Sequence, residues 1–161
     1  MPAKQSGQDS FMARAITLSL ENIRSNRGGP FAALVVRDAE VISEGVNRVT
    51  PTNDPTAHAE IVAIREACRK LKRFDLAGCE IYATCEPCPM CLGAIYWSHL
   101  AKIYFANTAA DAAKLGFDDS LIYGEIRRPA PERRIPMIPL MRDDAIKVFH
   151  AWQAKPDKIS Y

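Results

Sequence analysis

Two short segments of the sequence carry side chains suited to binding a metal and moving protons. In one of them Glu60 follows His58 by two residues, and in the other Cys91 follows Cys88 by three. One imidazole and two thiolates suit zinc, and three protein ligands leave a coordination position open for water, as in catalytic zinc sites. Glu60 would stay near such a metal without joining it, and a carboxylate there can carry a proton from water to a leaving amine. These residues therefore predict a catalytic zinc site.

Cys85 offers a rival interpretation of the same cysteines. Together with His58, Cys88 and Cys91 it would close a four-ligand structural zinc site in a protein without enzymatic activity. An iron–sulfur cluster is a further alternative, but no fourth cysteine follows at the spacing that such clusters use. Glu60 favours the catalytic interpretation, because a closed structural site has no use for a carboxylate at this position. We therefore expect Cys85 to be a buried thiol beneath the metal loop.

Both segments stand at the starts of predicted helices. Apolar residues at helical spacing predict one helix over residues 57–71, and another that begins between residues 85 and 89 and runs to about Ser98. The partial positive charge of a helix N-terminus favours thiolates, and Pro89 suits a first turn because its missing N–H costs little there. Residues three apart on a helix share a face, so we expect both sulfurs to point the same way.

The rest of the pattern predicts further helices and strands around these two. A helix after Asp9 or Ser10 is expected to end at the Gly-Gly-Pro of residues 28–30. Its buried stripe is expected to hold Phe11, Met12, Ala15, Ile16, Leu20 and Ile23. Strands are expected over residues 31–37, 41–46, 80–84 and 102–106, with a loop at 47–57 and a last helix over 143–153.

The order of these elements predicts how the strands pair. The first two strands suit an antiparallel hairpin, whereas the helix between the third and fourth favours a parallel crossover. Residues 127–139 carry four prolines, so they are expected to be irregular or a short edge strand. The expected fold class is α/β, a three-layer α/β/α sandwich around a central mixed sheet of about five strands.

Composition bounds the class of protein. The chain has 161 residues, 48% of them hydrophobic and 25% charged, which is typical of one globular domain and excludes a disordered or fibrous protein. A net charge of +2 gives no reason to expect a nucleic-acid partner. Five cysteines cannot form a complete intrachain disulfide framework, so we expect a cytoplasmic protein with reduced thiols. Residues 1–8 are expected to be a flexible leader, and no apolar run is long enough for a membrane anchor.

Four segments resemble the bacterial guanine deaminases of the cytidine deaminase-like superfamily. They are GPF at residues 29–31, TNDPTAHAE at 52–60, CEPCPMCLGAIYW at 85–97 and GFDDS at 116–120. The His-x-Glu and Pro-Cys-x-x-Cys halves are the zinc deaminase motif. The resemblance covers residues 11–161, closely as far as Ser120 and more loosely over 127–156, and it leaves the leader out.

This resemblance implies a function and a role for each matching residue. It implies hydrolysis of guanine to xanthine and ammonia, with one zinc per subunit bound by His58, Cys88 and Cys91. Glu60 would be the proton shuttle, first to ring N3 and then to the departing 2-amino group. The residues that would contact the purine are Phe31 and Trp97, which shape the pocket, Asn47, which hydrogen-bonds the base, Ala59, and Asp119 and Tyr161, which close the site.

The resemblance also implies a homodimer. In that family the segment that begins at about residue 117 is exchanged between two subunits, so Asp119 and Tyr161 would serve the partner's zinc. The chain would then be one deaminase domain over residues 1–161, with a complete site only in the dimer.

Related substrates keep several alternatives open. Guanosine, or an aminotriazine such as ammeline, would be accepted if the pocket has room near the ribose position. A tRNA adenosine deaminase would need a basic surface, and the candidate for one is the set Arg127, Arg128, Arg133 and Arg134. From Leu121 to the end the chain has 8 basic and 5 acidic residues, a modest net charge of +3. A small base is therefore favoured over a nucleic acid.

Overall fold

A four-stranded mixed sheet positions both metal segments. Its strands lie in the spatial order β2-β1-β3-β4, with the bounds β1 (Ala32–Arg37), β2 (Glu40–Val46), β3 (Glu80–Cys85) and β4 (Lys102–Asn107). β1 pairs antiparallel with β2 and with β3, whereas β3 pairs parallel with β4. The predicted hairpin and the predicted parallel crossover are both confirmed.

Seven α-helices accompany the sheet in this computed structural model, which describes residues 7–161. They are α1 (Gly7–Arg24), α2 (Val49–Thr52), α3 (Ala59–Leu71), α4 (Pro89–Trp97), α5 (Ala109–Lys114), α6 (Ser120–Arg127) and α7 (Arg142–Ala154). Residues 1–6 of the predicted leader lie outside the described part of the chain, and its last two residues already belong to α1. The predicted loop over 47–57 contains the short α2.

Helices cover both faces of the sheet. On one face α1 packs against Leu34 and Tyr82, and on the other α3 and α4 pack against Val35 and Ile81. Neighbouring residues of β1 therefore enter opposite cores, which is why this strand is apolar along almost its whole length. The three-layer α/β/α arrangement is confirmed.

The strand count differs from the expected five or so. Among the described residues there are four strands, and residues 127–139 form only a 3₁₀ turn at Ala130–Glu132 within otherwise irregular chain. The four prolines of this segment lack the backbone N–H groups that a strand ladder uses. The segment therefore adds no strand, and the α/β class is unchanged.

The face that α1 buries was predicted only in part. Ile16, Leu20 and Ile23 were expected in the core, but each of them is exposed. The fully buried residues of α1 are Ala15 and Asn22, which lie seven residues and therefore about two turns apart on one face. The buried face of α1 thus includes the polar side chain of Asn22, which the pattern of apolar residues did not predict.

The chain divides into two units, Met1–Asp119 and Ser120–Tyr161. The second unit contains α6, the 3₁₀ turn and α7, and none of its residues is buried. Its exposed large apolar side chains are Leu121, Ile122, Ile126, Ile135, Met137, Ile138, Leu140, Met141, Val148, Phe149, Trp152, Ile159 and Tyr161. Across the described residues, no helix combines the length and the apolar character needed to cross a membrane.

Candidate active site

His58 and Cys88 occupy equivalent positions in the fold. Each is the N-cap residue of its helix, His58 of α3 and Cys88 of α4, and each has extended backbone. Neither side chain caps its own helix, so both remain free to bind something else. Cys91 is the third residue of α4 and is fully buried. The helices were expected to begin at these two segments, and the structure confirms it.

The three predicted metal ligands converge on one point. Nδ1 of His58 lies 3.5 Å from Sγ of Cys88 and 3.6 Å from Sγ of Cys91. One ligand atom from each of the three residues lies within 4.8 Å of the ligand atoms of the other two. One ring nitrogen and two sulfurs at this separation match the ligand types and the compactness of a three-ligand zinc site. The residues present therefore fit the metal.

The thiols of this group are not equivalent. A hydrogen bond from Cys91 and another from His58 lower the pKa of Cys88 to about 4, so Cys88 is a thiolate at neutral pH. The same proximity to Cys88 raises the pKa of His58 and of Cys91. Cys88 thus supplies negative charge at a helix N-terminus, where the helix dipole stabilises it.

Cys85 stands outside the group. It is the last residue of β3, and its Sγ lies 3.7 Å from the backbone oxygen of Thr108. Burial raises the pKa of its thiol to about 11, so it carries a proton at neutral pH. The three-ligand group of the described residues does not include it. The prediction of a buried thiol beside the metal loop is confirmed.

Glu86 holds that loop against the neighbouring segment. Its backbone N–H donates to Asn107 at 2.8 Å, and its Oε2 accepts from the backbone N–H of Ala109, the first residue of α5, at 2.9 Å. The chain between β3 and Cys88 is therefore fixed by two hydrogen bonds to the end of β4 and the start of α5.

Glu60 lies beside the metal group, near the start of α3. Its side chain is buried, and its Oε2 is 3.5 Å from Sγ of Cys91. Burial raises the pKa of this carboxyl, because leaving water disfavours the charged form. A carboxyl whose two protonation states are brought closer in free energy is suited to taking up a proton and giving it back.

Asn47 follows β2 directly and has a fixed side-chain amide. Its Oδ1 accepts from the backbone N–H groups of Gly29 and Val49, both at 3.3 Å. Its own backbone N–H donates to Phe31 at 3.0 Å. With the amide oxygen engaged by two donors, the Nδ2 group is the part of this side chain left to donate to a ligand.

The aromatic partner of Phe31 is a residue that sequence reasoning did not assign. The rings of Phe31 and Phe117 meet edge to face, with centroids 4.9 Å apart. Phe117 stands in the GFDDS segment, and a large apolar residue there was the available signal. Two residues on, burial raises the pKa of Asp119, and the charge of Cys88 raises it further. The carboxyl of Asp119 therefore interacts electrostatically with Cys88 of the same chain.

The other expected contact residues differ in placement. Ala59 is fully buried at the first position of α3. A Cβ at Gly45 would lie 2.2 Å from the Ala59 oxygen, so glycine there lets α3 approach β2. Trp97 ends α4, about 9 Å along the helix axis from the ligand Cys91, and is 69% exposed. Tyr161 belongs to the second unit and is 76% exposed.

Comparison with known proteins identifies the family. Residues 5–107 match the model of the cytidine and deoxycytidylate deaminase zinc-binding region, which is more than half of the chain. The chain belongs to this family of zinc-binding deaminases. Its cofactor is zinc, and its three-ligand group is placed to hold that metal.

The similarity of this deaminase to known proteins extends beyond the region that the family model matches. Guanine deaminase of Bacillus subtilis is 48% identical over 153 residues, which cover 95% of this chain and 98% of that protein. The crystal structure of that enzyme superposes with a TM-score of 0.92 over the same share of both chains. A structure of guanine deaminase from Nitrosomonas europaea is 35% identical, covers 74% of this chain and 66% of its own, and has a TM-score of 0.64.

A tRNA deaminase resembles only part of the molecule. The tRNA-specific adenosine deaminase of Aquifex aeolicus is 48% identical over 77 residues, which is 48% of this chain and 51% of that protein. The similarity to the Bacillus subtilis enzyme thus spans both units of this deaminase, whereas the similarity to the Aquifex aeolicus enzyme spans half of the chain.

Proposed function

We propose that this protein is a guanine deaminase, a hydrolase that converts guanine and water to xanthine and ammonia. The observation that carries the proposal is the 48% identity to the Bacillus subtilis guanine deaminase over 95% of the chain. The site supports it, because a metal group, a buried carboxyl, a fixed amide and a pair of aromatic rings all belong to the first unit. Ligating thiols must stay reduced, which supports a cytoplasmic location.

The chain's own residues divide the chemistry between them. His58, Cys88 and Cys91 hold zinc, which when bound activates water for attack on the purine. Glu60 takes one proton from the attacking water and places it on ring N3, and then takes the second proton of the same oxygen and gives it to the departing 2-amino group, which leaves as ammonia. Each transfer uses a carboxyl that its surroundings allow to be either neutral or charged.

The remaining residues bind the base. Phe31 offers a ring face to the planar purine, with Phe117 buttressing it edge-on. Asn47 donates from Nδ2 to an acceptor atom of the base. The backbone N–H of Ala59, at the first position of α3, has no partner within its helix and is a second donor. Asp119, whose pKa is raised by burial, offers a further carboxyl to the base.

Two of the four arginines of the candidate basic surface, Arg128 and Arg133, have partners within the second unit. Arg128 forms an ion pair with Glu125 at 3.3 Å. Arg133 donates to the backbone oxygens of Arg128 and Ile126 at 3.2 and 3.4 Å. Side chains that already hold their own unit together are less available to bind phosphates.

Ammonia release from a panel of substrates tests this assignment. The zinc-loaded protein is expected to release ammonia from guanine much faster than from guanosine, ammeline, adenosine or cytosine. The rate on guanine is expected to change little between 50 and about 200 mM salt, because a neutral base displaces no counterions. Faster release from a nucleoside or triazine would reassign the substrate, and inosine formation in tRNA with a steep salt dependence would favour the tRNA deaminase.

We infer in addition that two copies of the chain form a homodimer and exchange their second units. A unit with no buried residue and many exposed apolar side chains needs a covering surface, and a second copy of this chain offers one. In such a dimer Tyr161, which belongs to the exchanged unit, reaches the partner's site, which would account for its exposure here.

Mixing two inactive variants tests the exchange. One chain carries Glu60→Gln, and the other carries Tyr161→Ala. If Tyr161 serves the partner's site, a mixed dimer contains one site with both an intact Glu60 and an intact Tyr161. Unfolding and refolding the variants together is then expected to restore up to about one quarter of the wild-type rate, with a dimer by light scattering. A monomer, or a mixture no more active than the sum of its parts, would contradict the exchange.

A further inference from the structure

Asn22 is the one fully buried polar side chain of α1, within the described residues. It lies on the face that packs against the sheet, two turns after Ala15. Its Nδ2 donates to the backbone oxygen of Gly29 at 2.9 Å and to that of Asn47 at 3.0 Å. Both acceptors are carbonyls, so the orientation of the amide is fixed by chemistry, since its oxygen cannot take the place of the nitrogen.

The other end of the same amide has no partner in the described part of the chain. Oδ1 of Asn22 is buried and accepts no hydrogen bond from the described residues. An unpaired buried oxygen costs stability, and an apolar side chain would avoid that cost. Core packing alone therefore does not explain the Asn22 amide, and its two donated hydrogen bonds indicate its role.

Those two bonds end on the two segments that hold the proposed base-binding residues. The Gly29 oxygen also accepts from the backbone N–H of Phe31 at 2.9 Å, so Asn22 grips the turn that leads to that ring. The Asn47 oxygen belongs to the residue whose side-chain amide is proposed to donate to the purine. Asn47 also links the two segments directly, because its Oδ1 accepts a hydrogen bond from the backbone N–H of Gly29.

Gly28 shows how closely these hydrogen-bonded segments pack together. Its φ of +149° is in the region that favours glycine, and a Cβ there would lie 2.0 Å from the Asn47 oxygen and 3.1 Å from Nδ2 of Asn22. The turn, the strand end and the helix therefore meet with no room for a side chain between them. A shift of the turn, the strand end or the helix would therefore displace the other two.

We propose that Asn22 is a positioning residue for the substrate. By donating hydrogen bonds to the backbone oxygens of Gly29 and Asn47, it sets the distance between the Phe31 ring and the Asn47 amide. It does not touch the base itself. The inference rests on the proposed function, because it assigns the purine to Phe31 and Asn47. Its effect should appear chiefly as a raised KM, since the metal group and Glu60 stand on other elements.

A double-mutant cycle with Asn47 tests the proposal. Asn22→Leu keeps the size of the side chain and removes both donated bonds, and it is expected to raise KM for guanine about tenfold, with little change in kcat and in bound zinc. In an Asn47→Ala background the same substitution is expected to raise KM clearly less, because one of the two groups that Asn22 positions is already gone. Should Asn22→Leu not fold, Asn22→Ser, whose hydroxyl can reach only one carbonyl, takes its place in the cycle.

Ser43→Ala is the matched control. Ser43 is also buried and donates to a backbone carbonyl, that of Ala63 at 2.7 Å, but it bonds neither Gly29 nor Asn47. We expect it to lower the melting temperature while leaving KM unchanged. An Asn22 variant that loses stability like Ser43→Ala and keeps the wild-type KM would overturn the positioning role. So would an equal rise in KM with and without Asn47.

A second readout separates this inference from the proposed function. Side-chain amide signals of ¹⁵N-asparagine-labelled protein report the setting of Asn47 without any substrate. The Asn47 signals are expected to shift in Asn22→Leu and to stay in place in Ser43→Ala. If guanine releases no ammonia, the proposed function fails while this shift still upholds the linkage between Asn22 and Asn47. Unchanged Asn47 signals would overturn the linkage whatever the substrate proves to be.

Discussion

Replacing Glu60 by glutamine is expected to lower kcat for guanine by about 10²- to 10⁴-fold while the protein keeps its zinc. The amide has nearly the same size and fills the same buried space beside Cys91. It has no titratable oxygen, however, so it can neither accept a proton from water nor return one to the leaving amine. Steady-state kinetics with guanine, together with zinc analysis by mass spectrometry, give both halves of this result.

Glu66→Gln is the control for that variant. Glu66 lies on the same helix, α3, but pairs at the surface with Arg69 at 2.7 Å. Hydrogen bonds from Arg69 lower the pKa of Glu66, as opposed to the raised pKa of Glu60. Loss of an exposed ion pair should leave kcat within about twofold of the wild type. A Glu60→Gln enzyme that keeps most of its activity would contradict the shuttle.

Cys88→Ser is expected to release the metal and, with it, all measurable deamination. Serine is a good N-cap residue, so α4 should still begin at the same place. A hydroxyl remains protonated where the Cys88 thiol, with its pKa of about 4, is a thiolate. The site then loses the ligand that carries negative charge at neutral pH. We expect zinc per chain to fall from about one towards zero after dialysis, without loss of helical circular dichroism.

Cys85→Ser distinguishes the open site from a closed structural one. Its sulfur contacts the oxygen of Thr108 and not the ligand group, and a serine hydroxyl can donate to the same oxygen. This variant is expected to keep one zinc per chain and near-normal kcat. Loss of zinc from Cys85→Ser to the same degree as from Cys88→Ser would make Cys85 a fourth ligand and would contradict a catalytic metal.

The metal ligands were predictable because their signal is local. His58 and Cys88 each directly precede a helix, and neither side chain bonds the backbone of its own helix, so both are available to a ligand. Spacing along one chain was therefore enough to place Cys91 with Cys88. What spacing could not show is the 3.5 Å approach of His58, which depends on how α3 and α4 pack.

Residues that act through tertiary contacts were harder to predict. The rotation of α1 could not be read from its apolar residues, because Ile16, Leu20 and Ile23 lie off the buried face while Asn22 lies on it. Phe117 meets Phe31 across a gap of 86 residues in sequence, which no periodic pattern reports. The influence of the Cys88 charge on the pKa of Asp119 also depends on the fold, and the service of Asp119 to a partner's zinc stays a prediction.

Xanthine and ammonia, measured together as the zinc-loaded protein reacts with guanine, would decide whether the site deaminates guanine by using its metal. We expect equal amounts of the two products, loss of both after a chelator removes the zinc, and recovery when zinc is restored. An unchanged rate in metal-free protein, or no xanthine from guanine by protein that holds one zinc per chain, would contradict zinc-dependent guanine deamination.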